Sequence, residues 1–257
     1  MNSGVYSRIA DAYKKKSTLL FLLIDPDNTD PSSLADFIRH ADASGVDGFL
    51  VGGSLSSIAQ LDAFITRIKT VTKNDVIIFP GGVHHISPAA DAILFLSIIS
   101  GRNSDHLIGQ HVIAAPIVKR IGLEAISTGY LLIESGAATT AEFMSSTRPI
   151  PRKKTEIAVA HALAGEYLGM KMIYLEAGSG AEQTVPNEMV SAVSGMIQIP
   201  LIVGGGIRSP EIAHQKVEAG ATIIVIGNHF ENSEHHSQIQ DFAEAVHARG
   251  PKPMITV

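Results

Sequence analysis

Two carboxylates and three glycine-rich turns are the residues of this chain best suited to chemistry. Asp25 ends the apolar run Leu19–Ile24, and Glu176 ends the run Met172-Ile173-Tyr174-Leu175. The turns are Ala177-Gly178-Ser179-Gly180, Gly204-Gly205-Gly206 and Gly227-Asn228, each closing a short apolar run. Glycine lets a backbone approach a ligand closely, and a helix start behind it adds positive potential. The turns recur at roughly the ~30 residues that a strand-helix-strand unit needs. Consecutive strand ends would then place several backbone amides around one phosphate. A phosphorylated substrate follows.

Glu176 narrows the substrate further. A carboxylate aimed at an amide-held phosphate would repel it. It should therefore meet another part of the ligand, such as hydroxyl groups, where it could accept a proton within hydrogen-bond reach. A phosphorylated polyol meets both demands. Tyr174, two residues earlier, shares that side and either adds a phenolic hydrogen bond or fills the interior.

Asp25 has two readings. Asp-Pro sequences favour turns, so Asp25 could cap one. It could equally bind a hard cation, because Mg²⁺ takes one or two carboxylates together with waters and phosphate oxygens. Ser54, at the next strand end, could add a hydroxyl. Asp27 and Asp30 are expected to lie in the loop and cap a helix beginning near Ser32. Arg148, Arg152, Lys153 and Lys154 surround Pro149 and Pro151. They form either a solvated surface or a lid that carries cations to a diphosphate. His84-His85 and His235-His236 lack the separated spacing of zinc ligands. The second pair should start the last helix, and the role of the first stays open.

These residues need elements that bring them to one face. Candidate strands are Leu19–Ile24, Gly48–Val51, Val76–Phe79, Ala92–Ser97, Ala125–Ile133, Met172–Leu175, Leu201–Val203 and Thr222–Ile226. Helical spacing fits Ser32–Ala43, Ser56–Lys69, Asp105–Arg120, Thr155–Leu168, Asn187–Gly195, Pro210–Ala219 and Ser237–Ala248. A further amphipathic stretch runs from Gly4 to Lys16. Near-continuous apolar strands indicate burial on both faces, as in parallel sheets. Eight of them alternating with helices predict one (β/α)₈ barrel of TIM type over residues 1–257, with phosphate-binding loops after strands six, seven and eight. A doubly wound open sheet is the alternative. The segment from Phe79 to His85 leaves little room for a helix before strand four. The stretch Glu134 to Lys154 is expected to be a long loop.

Composition removes several classes of function. With 257 residues, 45% of them hydrophobic, the chain can bury a large core. A net charge of −5 argues against a nucleic-acid-binding protein. The absence of cysteine excludes disulfides, thiolate metal sites and a cysteine nucleophile, and is compatible with a cytoplasmic location. The longest apolar stretch, Ala92 to Ile99, falls short of the ~20 residues that span a bilayer. No signal-peptide pattern is expected at the start.

In sequence order, Leu23-Ile24-Asp25-Pro26-Asp27, Val51-Gly52-Gly53-Ser54, Phe79-Pro80-Gly81, Thr128-Gly129-Tyr130 and Pro149-Ile150-Pro151-Arg152 form a recognisable set. It continues through Ala164 to Met170, Tyr174 to Gly180, Gly204-Gly205-Gly206-Ile207-Arg208 and Ile226-Gly227-Asn228. On these stretches the chain resembles the geranylgeranylglyceryl phosphate synthase family, in its second, larger group. The resemblance implies transfer of a prenyl group from a prenyl diphosphate to the 3-hydroxyl of sn-glycerol 1-phosphate, assisted by Mg²⁺. It implies a magnesium site at Asp25 and Ser54. It implies a glycerol phosphate site at Tyr174, Leu175, Glu176, Ala177, Gly178, Ser179, Gly180, Gly205, Gly206, Gly227 and Asn228, with Glu176 and Tyr174 the catalytic candidates. It also implies a homo-oligomer, dimeric or hexameric. An apolar groove for the tail would draw on Phe79, Phe95 and Ile98. The chain departs from the family at Asn28, where a lysine is common, and at Val83-His84-His85.

Two other functions suit the same glycine turns: a sugar-phosphate isomerase or aldolase, and a non-catalytic phosphometabolite-binding barrel. No lysine sits at a clear strand end, which counts against a Schiff-base aldolase.

Overall fold

Eight parallel strands close on themselves in the computed structural model, which describes residues 4–53 and 61–248. They are β1 (Leu19–Ile24), β2 (Gly48–Val51), β3 (Asp75–Ile78), β4 (Ala92–Ser97), β5 (Glu124–Leu132), β6 (Met172–Glu176), β7 (Leu201–Gly204) and β8 (Ile223–Ile226). Each pairs with its sequence neighbours, and β1 pairs with β8 in the register Leu19↔Ile223 to Leu22↔Ile226. Closure removes the edges that the open-sheet alternative would leave.

Alternation along each strand divides the core in two. Phe21, Leu50, Ile77, Leu94, Ile126, Tyr130, Tyr174, Ile202 and Val225 fill the barrel interior. Leu20, Leu22, Phe49, Val51, Ile93, Leu175 and Val203 pack outward against the helices. Both faces are apolar because both are covered, which is why the strands read as continuous runs. Each such side chain contributes about 1.5–3 kcal/mol on burial.

The helices are α1 (Val5–Lys14), α2 (Leu34–Ala43), α3 (Leu61–Lys69), α4 (Gln110–Ile121), α5 (Thr140–Ser145), α6 (Thr155–Tyr167), α7 (Asn187–Met196), α8 (Pro210–Glu218) and α9 (Ile239–His247). Val5 and Ile9 of α1 pack with the interior cluster. The first amides of α1, on Val5 and Tyr6, donate to the Glu124 carboxylate at 2.7 and 3.1 Å. An acid at a helix start complements the dipole, so α1 seals the barrel end where the strands begin. Chemistry is left to the other end.

Four expectations need adjustment. Asp105–Gly109 forms one π-helical turn before α4 rather than continuing it. The long stretch after β5 contains α5, whose Thr139 hydroxyl accepts the Glu142 N–H at 3.3 Å, a capping pattern written in the sequence. α2 starts at Leu34, not Ser32, because Asp30 accepts the Ser32 N–H at 2.9 Å and caps the turn ahead of the helix. His235 and His236 lie in a 3₁₀ segment, Ser233–Gln238, before α9. As expected, the described residues between β3 and β4 contain no helix. No helix among the described residues is long and apolar enough to cross a membrane.

Candidate active site

The strand C-termini surround a cavity lined by Asp25, Tyr174, Glu176, Ser179, Gly180, Gly205, Gly206, Gly227 and Asn228, together with Arg208, His229 and Glu231. Asp25 and Glu176 thus share one rim, as the sequence reading requires. Ser54 lies outside the described residues.

Glu176 is the most perturbed carboxyl here. It is the last residue of β6, 6% exposed, and faces inward in line with Tyr174. Burial raises its pKa from 4.5 to about 7, although the Gly178 N–H and the Tyr174 hydroxyl favour the ionised form. Gly178 donates to Oε1 at 2.6 Å. The Tyr174 hydroxyl is buried beside this carboxylate, yet no hydrogen bond of normal geometry satisfies it among the described residues. An orphaned buried hydroxyl at a cavity wall is primed for a ligand oxygen. Tyr174 therefore serves both readings: it fills the interior and presents its polar tip. Its ring meets Tyr130 at 5.2 Å and Phe79 at 5.8 Å.

The glycine turns do not all act alike. Gly205 has φ +86°, and a Cβ there would collide with Glu176 Oε1; only glycine fits beside the carboxylate. Gly227 has φ −120°, so no backbone requirement selects it. The amides of Gly178 and Gly180 are engaged within the protein, by Glu176 at 2.6 Å and Asn228 Oδ1 at 3.0 Å. No protein acceptor among the described residues meets the amides of Gly205 and Gly206. Leu175 and Ala177 point into the outer core and do not line the cavity. The segment forms one motif in sequence, and strand alternation splits its side chains between the cavity and the outer core.

Asp25 fulfils its turn reading and still reaches the cavity. Its Oδ1 accepts the Asp27 N–H at 3.0 Å and its Oδ2 the Asn28 amide at 3.2 Å. Glu231 is close enough that the Asp25 charge helps burial raise the Glu231 pKa. No group of three His, Asp or Glu side chains able to hold a metal occurs among the described residues. Asp25 faces a cavity whose lining also includes Glu231 and Glu176. That donor set fits Mg²⁺ only when substrate phosphate oxygens and waters complete the shell.

A second, apolar cavity adjoins the first. Gly53, Phe79, Tyr130 and Ala141 line both. Beyond them it continues along Phe95, Ile98 and Ala114, so that Phe79, Phe95 and Ile98, expected to form a tail groove, all line it. Val83 also lines it, whereas His84 and His85 do not. His85 is buried and its Nδ1 accepts the Gly81 N–H at 2.8 Å, so it braces the loop after β3. The basic stretch lines neither cavity. Arg152 binds the Thr184 carbonyl at 2.7 Å, and Lys154 pairs with Glu156 at 3.5 Å.

Sequence reasoning missed Arg208, Tyr130, His229 and Glu231. Arg208 closes the Gly204–Ile207 turn, and its position was signal enough. His229 and Glu231 belong to the 3₁₀ turn Asn228–Glu231, which no periodicity announces.

The family model described as the PcrB family matches residues 11–246. The chain is 45% identical to a geranylgeranylglyceryl phosphate synthase of Chitinophaga pinensis over 251 residues, 98% of this chain and 99% of that one. It is 45% identical to that of Korarchaeum cryptofilum over 218 residues, 85% of this chain and 89% of the other. The crystal structure of (S)-3-O-geranylgeranylglyceryl phosphate synthase from Thermoplasma acidophilum, in complex with sn-glycerol-1-phosphate, is similar with a TM-score of 0.90. The two are 33% identical, with 95% of this chain and 99% of that chain covered. A thiamine phosphate pyrophosphorylase from Pyrococcus furiosus, with a TM-score of 0.59 at 12% identity, shares the fold alone. With relatives this similar along nearly their whole length, the chain belongs to the PcrB family, alongside the geranylgeranylglyceryl phosphate synthases.

Proposed function

We propose that the protein is a geranylgeranylglyceryl phosphate synthase, moving a prenyl group from prenyl diphosphate to the 3-hydroxyl of sn-glycerol 1-phosphate. The observation that carries this reading is the pair of joined cavities, one polar and one apolar, meeting at Phe79 and Tyr130. A polar head and a hydrocarbon tail can thereby meet at one wall. In the polar cavity the free amides of Gly205 and Gly206, with the Arg208 guanidinium, receive the phosphate. Glu176 and the Tyr174 hydroxyl face the glycerol hydroxyls. The allylic C–O bond to diphosphate breaks, the glycerol oxygen bonds to that carbon, and Glu176 accepts the hydroxyl proton. Hydrocarbon walls at Phe79, Phe95 and Ile98 hold the tail and keep water from the allylic centre.

Magnesium belongs to the same proposal. Asp25 would hold it, with Ser54 as the second donor the resemblance implies. Bound there, it would stabilise the charge developing on the leaving diphosphate. The exposed apolar side chains Ile108, Val112 and Ile113 support a homo-oligomer, which light scattering would test. A cytoplasmic location fits the lack of cysteine.

The test pairs sn-glycerol 1-phosphate and its 3-phosphate enantiomer with prenyl diphosphates of increasing length. Ether product from the 1-phosphate, lost with EDTA and restored by Mg²⁺, is the expected result. Absence of turnover with every diphosphate would sink the reading. The aldolase alternative is disfavoured because no lysine lines either cavity among the described residues.

A further inference from the structure

Three cations converge on the backbone directly behind the glycine turn of β6. Arg208 donates to the Ala181 carbonyl at 3.0 Å and lies 3.4 Å from that of Gly180. Arg152 donates to the Thr184 carbonyl at 2.7 Å. Lys216, on α8, donates to the Val185 carbonyl at 2.7 Å and to Asn187 Oδ1 at 2.5 Å. The three come from three separate parts of the chain, and all hold the run from Gly180 to Asn187.

Lys216 is the unusual member. It is 3% exposed, and its hydrogen-bond acceptors are uncharged. Burial, together with the nearby Arg152 charge, lowers its ammonium to about 8, with Glu188 only partly opposing the shift. Asn187 opens α7, where the helix dipole also disfavours a cation. An apolar side chain would fill this place without that cost. Stability alone does not account for a lysine here.

The pinned run touches the polar cavity. A Cβ at Gly206 would lie 3.1 Å from the Ala181 carbonyl oxygen and 3.5 Å from the Gln183 carbonyl carbon. The run therefore backs Gly206 on one side and continues Ser179-Gly180 on the other. Any slackening displaces both amide-bearing turns.

We propose that Lys216 is a positioning residue for the phosphate side of the cavity, holding the Gly180–Asn187 run against Gly206 without touching substrate. This rests on reading that cavity as the glycerol phosphate site.

Lys216→Met removes both bonds to the run, whereas Asn187→Ala removes one and leaves the Val185 carbonyl bond, so its effect should be the smaller of the two. Loss of a buried charge-assisted bond predicts about tenfold weaker binding of sn-glycerol 1-phosphate by calorimetry. The KM for prenyl diphosphate should stay within about twofold, since the apolar cavity is walled by other elements. Hydrogen exchange at 181–185 should accelerate in both variants. Equal weakening toward both substrates indicates a merely structural lysine and overturns the proposal, as does unchanged glycerol phosphate affinity in a folded variant. If Lys216→Met does not fold, Lys216→Gln, which keeps a donor but no charge, and Asn187→Ala decide together: glycerol phosphate binding weakened in neither overturns the proposal. If the parent itself binds no glycerol phosphate, the reading of the cavity fails instead, and the exchange rates still report whether Lys216 pins the run.

Discussion

The Ser179 hydroxyl donates to Asn228 Oδ1 at 2.6 Å, tying the turn after β6 to the turn after β8 across the end of β7. The same oxygen accepts the Gly180 N–H at 3.0 Å, and the Asn228 amide reaches Glu231 at 3.1 Å. One side chain therefore fixes the spacing of two turns that flank the proposed phosphate position. Rigid spacing matters because an anion site works only when its donors are already in place.

Asn228→Ala removes both acceptor bonds on Oδ1. At about 0.5–1.5 kcal/mol each, the loss predicts a KM for glycerol phosphate raised roughly tenfold. The prenyl diphosphate KM should hold. Steady-state kinetics with each substrate varied in turn gives the answer, and equal effects on both would place Asn228 outside the phosphate site.

Asp25→Asn keeps an oxygen for the Asp27 amide and so preserves the turn. It removes the charge a cation needs. Turnover should fall on the order of 10²-fold, the usual cost of losing transition-state charge stabilisation, while calorimetry shows glycerol phosphate affinity little changed. A variant with full turnover would mean that any magnesium is held elsewhere.

The barrel was legible because burial on both faces writes strands as apolar runs such as Ala92–Ser97, and Gly205 was legible because no other residue fits beside Glu176. Other parts had no local signal. The contact of Arg208 with Ala181 joins the turns after β7 and β6, and the wall formed by His229 and Glu231 follows β8; both arise from tertiary packing. Leu175 and Ala177 sit in a specific motif, but the two-residue period of a strand turns their side chains outward, away from the cavity. Thr139 with Glu142 did carry a capping signal, hidden by how short α5 is.

Ala114→Phe tests the apolar cavity, since Ala114 lines it and not the polar one. The larger side chain costs about 1–3 kcal/mol of overpacking and shortens the space for hydrocarbon. Activity with the longest accepted prenyl diphosphate should drop at least about tenfold, as lost tail burial at about 0.8 kcal/mol per methylene accumulates. A short diphosphate should still react. Competition between two chain lengths in one vessel measures the shift, and an unchanged ratio would remove the tail from this cavity.

Glu176 gives the sharpest pH prediction. Its carboxyl titrates at about 7 because burial outweighs the Gly178 hydrogen bond and the nearby Tyr174 hydroxyl. As a proton acceptor it must be ionised, so kcat/KM should fall about tenfold per pH unit below that value. Stability runs in the opposite direction. The folded state holds this proton more tightly than the unfolded chain, whose carboxyl titrates near 4.5. The stabilising contribution is complete below 4.5 and disappears as pH rises through about 7. A shift of that size corresponds to on the order of 3 kcal/mol. Glu176→Gln carries no ionisable proton, so it should unfold at a higher temperature than the parent at pH 8 and at a similar temperature at pH 4, while losing most turnover and its pH dependence. Thermal unfolding at the two pH values, set beside the rate profiles, separates the two roles. A parent whose rate is flat between pH 5 and 8 would show that Glu176 takes no proton in the rate-limiting step.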